Sequence, residues 1–197
     1  MVERSLATAR SAAARLTAAL NEGSAFDEDM AREYNRAKRA LAVSFQSMAL
    51  EVVPRDAYRL ADVKAQVVAT MRSMFEGRVD SSLFVIRRYT TPHPDIYALL
   101  ASHVGSPIPG WRIRLLSGDK IHTERRTREL RDLGLTIDVG GGDDDSSYCL
   151  KSLDPDLRYG AAFQLRENAY KSKRINPQNR AEIVRLAEAA AQLPDRK

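Results

Sequence analysis

Between Pro94 and Leu153 the apolar residues change period, and that switch constrains this chain more than any other feature. In the segment IHTERRTRELRDLG, Thr123, Thr127, Leu130 and Leu133 fall on one side of a helix at 100° per residue. Arg125, Arg128, Arg131 and Asp132 fall roughly opposite. Gly134 is placed to stop that helix. Leu135, Ile137 and Val139 then alternate with Thr136 and Asp138. After GGGDDDSS, Tyr148 and Leu150 alternate with Cys149 and Lys151, so two brief strands flank a loop rich in Gly and Asp.

Upstream of the switch, Ile96, Leu99, Leu100, His103 and Val104 line one side of a first helix. SPIPG follows as an extended connector, because Pro107 and Pro109 do not fit a helix interior. WRIRLLSG gives a short second helix, anchored by Trp111 and Leu115, with Gly118 and Asp119 at the turn. The third helix spans 121–133. Three small helices and a β-hairpin are the parts of a winged helix, set in a chain that is otherwise mainly α.

The flanks read as helices. Val2, Leu6, Ala9, Ala13, Leu16 and Leu20 form a near-heptad stripe too short for a long coiled coil, so a helical hairpin is expected, ending around Gly23. Ser24 can cap a second helix with stripe Phe26, Met30, Tyr34, Ala37, Leu41, Phe45, Met48 and Val52, stopped by Pro54. Beside that stripe, Arg36, Lys38 and Arg39 read as a solvated face or as phosphate contacts. Leu60, Val63, Val67, Met71 and Met74 mark a third helix over about 57–76. The apolar run LFVI at 83–86 is a buried strand or a helix start; its period does not decide. Past Pro155, Leu157, Ala161, Leu165 and Ala169 suggest a helix with a basic end. Asn176 and Pro177 cap another, with stripe Ile183, Leu186, Ala190 and Leu193. The prolines of TTPHP give the clearest boundary, so the expected division is 1–92, a helical region; 93–153, the winged helix; and 154–197, basic C-terminal helices.

Composition narrows the class. With 44% hydrophobic and 29% charged residues, the chain is globular in character. No apolar run approaches the roughly 20 residues that span a bilayer, and the N-terminus lacks the apolar core of a secretory signal. No membrane association and a cytoplasmic location are expected. The single cysteine, Cys149, allows no internal disulfide and no multi-cysteine zinc site. The net charge is +5, which suits a nucleic-acid partner. Residues 155–185 carry seven Lys and Arg against three Asp and Glu.

A helix whose outer face carries three arginines fits the DNA major groove, where Arg grips phosphates or pairs with guanine. The expected partner is therefore double-stranded DNA. The expected contacts are Lys120, His122, Thr123, Arg125, Arg128 and Arg131, joined by Lys171, Lys173 and Arg174 from the tail. Arg126 points to the packed side and is expected to bridge to a carboxylate. Residues 1–90 are expected to form a homodimer or partner surface. The run Asp143, Asp144 and Asp145 reads as a solvated turn that repels phosphates, since it lacks the ligand spacing of a calcium loop.

The segments GWRIRLL, RRTRELRDLGLTIDV and YCLKSL resemble the winged-helix domain that accompanies restriction endonucleases and HNH nucleases in bacteria. The matching positions are Trp111, Arg125, Arg126, Arg128, Glu129, Leu130, Arg131, Gly134, Tyr148 and Leu150. The resemblance covers about sixty residues and implies DNA recognition in a restriction or defence system, or in regulation. RYGAAFQLRENAYKSKR loosely resembles the lead-in to an HNH module. The chain then departs, with no Cys-x-x-Cys and a new helix at Asn176, so cleavage does not carry over.

No catalytic residue, cofactor or resident metal is expected. His93, His103 and His122 do not form a ligand cluster by spacing, His103 reads as a core histidine, and no Walker loop, Gly-x-Ser-x-Gly or His-Glu-x-x-His occurs. Two rivals remain. One is a nuclease or nuclease subunit with an active site not recognisable in sequence, for which a carboxylate and lysine set could be drawn from Asp138, Asp143 and Lys151; strand pairing and a turn already account for them. The other is a protein-binding adaptor.

Overall fold

The computed structural model describes residues 2–22, 27–118, 123–141 and 146–194. The protein is mainly helical, with a small three-stranded antiparallel sheet. The helices are α1 (Val2–Asn21), α2 (Glu28–Glu51), α3 (Leu60–Phe75), α4 (His93–Ala101), α5 (Gly110–Leu116), α6 (Thr123–Arg131), α7 (Leu157–Lys171) and α8 (Pro177–Ala190). The strands are β1 (Ile108–Pro109), β2 (Ile137–Gly140) and β3 (Ser147–Leu150). The chain forms two compact units, Met1–Val53 with Trp111–Ile121, and Pro54–Gly110 with His122–Lys197.

In the first unit α1 and α2 pack as a hairpin. Their buried residues are small: Ala9 and Ala12 from α1, Ala37 and Ser44 from α2. Ala9 and Ala37 lie on the expected stripes, and of the larger residues there Leu6, Leu16, Met30 and Met48 are only half-buried. Leu20, Tyr34, Leu41, Phe45 and Val52 are exposed. The most buried positions of both helices carry Ala or Ser. Asp27 caps α2 by accepting a hydrogen bond from the Met30 amide at 2.8 Å. Gly23, Ser24 and Phe26, expected as stop, cap and first stripe position, lie outside the described residues. In α5, Ile113 and Leu116 are buried, whereas Trp111 is 60% exposed and Leu115 half-buried. The expected Trp111 anchor is therefore corrected to the Ile113 and Leu116 pair, three residues apart on one face.

The second unit holds the sheet and the main core. Its sheet order is β1-β3-β2. Ile137 pairs with Leu150 and Val139 with Tyr148, while Ile108 pairs with Tyr148 from the other side. The connector containing Pro109 thus becomes a short edge strand, a position where proline's missing N–H costs nothing. Helix α4 is buried almost all round. Helix α3 shares one core with the C-terminal helices: Met71 and Phe75 pack with Leu83, Phe84, Ala161, Leu165, Ala169, Ile183 and Val184. The run LFVI is neither strand nor α-helix. A 3-10 turn at Ser81–Leu83 leads into irregular chain, and the Asn168 side chain donates to the Leu83 and Val85 carbonyls at 2.8 and 2.7 Å. A side-chain amide here supplies the partners a sheet would have given.

Two glycines allow close approach. Gly134 sits at φ +86°, and a Cβ there would collide with the Asp156 carbonyl oxygen. Gly160 lets α7 cross the chain at Leu133, whose carbonyl oxygen would lie 2.7 Å from an added Cβ. Asp156 and Asn176 cap α7 and α8 by accepting from the Tyr159 and Asn179 amides.

Candidate nucleic-acid interface

Helix α6 is anchored by one face and open on the other. Thr127 and Leu130 are buried, as is Leu133 just beyond the helix. On the packed side Glu129 gathers three groups. His93 Nε2 lies 2.7 Å from its Oε2, Arg126 donates to the same oxygen at 3.2 Å, and Arg125 donates to Oε1 at 2.9 Å. Burial pushes the Glu129 carboxyl up, but these hydrogen bonds and charges outweigh it and hold the group below its ordinary range. It is therefore an acceptor at neutral pH. His93 is 2% exposed, and its Nδ1 lies 2.8 Å from the Thr90 carbonyl, also an acceptor. The expected bridge from Arg126 to a carboxylate is present. That His93 holds Glu129 had no sequence signal, since 36 residues separate them.

A second cluster closes the end of α6. Arg88 pairs with Asp132 at 3.3 Å, and Gln164 donates to the Asp132 carbonyl at 3.0 Å and to the Tyr89 hydroxyl at 2.7 Å. Burial raises the Asp132 carboxyl to about 6, against the pull of Arg88. Tyr89 is buried with φ at 68°, a strained conformation for an aromatic residue, and its ring meets His93 edge-on at 5.4 Å. Burial pushes its hydroxyl above the ordinary range.

The expected DNA contacts divide by their placement. The Arg125 side chain is 71% exposed even while it touches Glu129. Arg128 is exposed and has no ion-pair partner among the described residues. Arg131 is half-buried, and its Nε lies out of solvent without a hydrogen-bond partner among the described residues. Thr123 opens α6. Lys120 and His122 lie outside the described residues, as do Asp119, Ile121 and the acidic run Asp143, Asp144 and Asp145. Lys171, Lys173 and Arg174 are exposed and line one pocket with Arg87 and Arg88. Arg87 and Arg88 had not been singled out in the sequence; the RR pair is the signal that could have marked them. Arg36, Lys38 and Arg39 are exposed on α2, with Arg36 paired to Glu33.

Of the carboxylate and lysine set, Lys151 pairs with Asp138 at 3.0 Å across neighbouring chain segments. Among the described residues, no group of three His, Cys, Asp or Glu side chains is arranged to hold a metal ion. Nor is any described helix long and apolar enough to cross a membrane. His103 is half-buried and its Nδ1 lies 3.1 Å from the Leu99 carbonyl.

These features describe a positively charged helix fixed from behind beside a small sheet. Residues 94–150 match the KpnI N-terminal domain family, which is related to restriction endonucleases. The match spans α4 to β3 and fits a restriction-system context. Comparison with curated proteins and with solved structures gave no match.

Proposed function

We propose that this protein binds double-stranded DNA through a winged helix formed by residues 93–153, laying α6 in the major groove, in a restriction or defence system. The order helix, strand, helix, helix, hairpin, with the short strand pairing onto the hairpin, supports that reading. The observation that carries it is Arg128. It stands exposed and without an ion-pair partner among the described residues, on a helix whose other face is held by buried Leu130 and by Glu129. A guanidinium in that position is free to take a guanine edge or a phosphate. Arg125 stands beside it, and Lys171, Lys173 and Arg174 add phosphate contacts. The α1–α2 hairpin, with Tyr34, Leu41, Val43 and Phe45 exposed, serves as the homodimer or partner surface. Binding to a randomised duplex library tests the reading. Arg128→Ala should lower affinity and relax base preference at one position by about 1–3 kcal/mol. A variant unchanged in base preference, affinity and salt dependence would remove Arg128 from the interface.

The match to a restriction-related family also favours a second reading, a nuclease or nuclease subunit. Incubation with duplex and magnesium or manganese separates the two: chelator-sensitive cleavage would establish the second.

A further inference from the structure

The pocket between the segment 82–88 and the end of α7 has a charge pattern that the fold itself does not require. It encloses about 340 Å³. Five cations line it, Arg87, Arg88, Lys171, Lys173 and Arg174, against one carboxylate, Glu167. Two of the five are already engaged: Arg88 by Asp132 and Lys171 by Glu167 at 3.0 Å. Arg87, Lys173 and Arg174 have no ion-pair partner among the described residues, although Arg174 is near enough to help hold the Asp80 carboxyl below its ordinary range.

The ordinary explanation for cations at a helix C-terminus is that they neutralise its free carbonyls. Here Arg180 has that task. Its guanidinium donates to the carbonyls of Ala169, Ser172 and Ile175 at 3.1–3.2 Å. The pocket's own polar amides are committed as well, Asn168 to two carbonyls and Gln164 to Tyr89 and Asp132. What remains along the lining is an excess of positive charge, including the guanidinium forks of Arg87 and Arg174. Such a concavity focuses a field that attracts anions, and Arg forks match phosphate oxygens.

We propose that this pocket is a phosphate-binding site, distinct from the α6 face and served by Arg87, Lys173 and Arg174. The phosphate comes either from the DNA backbone or from a small phosphate ester; the volume lies at the lower end of the range for small-molecule pockets. The first source rests on the DNA-binding reading above, and the second does not.

The test uses the full chain and inorganic phosphate, titrated at constant ionic strength against chloride and followed by amide NMR. Saturable shifts confined to residues around 82–88 and 167–174 are expected. Arg87→Gln combined with Arg174→Gln should weaken binding at least about tenfold, the loss of one charge-assisted contact's worth or more. Arg128→Ala should leave it unchanged, which separates this site's failure from that of the α6 reading. Competition by a duplex identifies the backbone as the source; competition by a mononucleotide but not by a duplex identifies the small ester. Circular dichroism of the double variant checks that it is folded. Shifts that never saturate, or that persist unchanged in a folded double variant, would overturn the proposal.

Discussion

Asp132→Asn should reverse part of the protein's response to pH. Burial raises the carboxyl of Asp132 from an ordinary 3.8 to about 6 in the folded state. The folded protein therefore holds this proton more tightly than the unfolded chain. Stability falls as pH rises from about 4 to above 6, because the unfolded state ionises first. A shift of roughly two units corresponds to about 3 kcal/mol across the whole window. At pH 4 the unfolded group is already about half ionised, so about 2 kcal/mol of change remains between pH 4 and 7.5. The attraction of Arg88 is already contained in that net shift. Asparagine has nearly the same shape and does not ionise. Urea unfolding of both proteins at pH 4 and pH 7.5 gives two stability differences. The variant should gain about 2 kcal/mol relative to wild type on going to the higher pH. A difference that stays constant, or moves the other way, would refute the claim that this carboxyl is held by burial against its charge.

Other substitutions probe the scaffold behind α6. Gly134→Ala places a Cβ at φ +86° and against the Asp156 carbonyl, so it should cost on the order of 2–4 kcal/mol by thermal unfolding. Glu129→Ala removes the acceptor for buried His93 and should cost about 2–3 kcal/mol, with DNA affinity falling through misplacement of α6. Asn168→Ala leaves the Leu83 and Val85 carbonyls without their side-chain donor and should cost about 1–3 kcal/mol in chemical denaturation.

Local chemistry was legible in the sequence where one residue's neighbours decide its role. The Asn176 cap and Pro177 start of α8, the existence of β2 and β3, and the Ala161, Leu165 and Ala169 face of α7 all lie within a few residues of their cause, although the expected alternation does not hold, since Val139 is exposed and Cys149 buried. The seam of the α1–α2 hairpin was legible only in part: Ala9 and Ala37 stood on the expected stripes, Ala12 and Ser44 did not. A stripe of large apolar residues and a stripe of Ala and Ser are both periodic, and only the approach distance of two helices selects between them. Likewise, nothing near Leu60–Phe75 in the chain reveals that α3 packs with α7 and α8, or that an asparagine satisfies the backbone at 83–85. For the interface, the arginine face of α6 could be read from its period. The buried His93 and the partly exposed Arg88 that hold it come from 30 to 45 residues away, and only the fold brings them together.

The central claim is that α6 presents its arginines to duplex DNA. Its most direct test is the affinity for a duplex library across a salt series from about 50 to 200 mM, in wild type and in Arg128→Ala. Release of counterions should make log K fall linearly with log salt, at about 0.9 per phosphate neutralised, with base preference relaxed in the variant. If Arg128 grips a phosphate instead, the variant's slope should be shallower by about one. Affinity that does not depend on salt, absence of binding, or a variant indistinguishable from wild type in both slope and preference would contradict it.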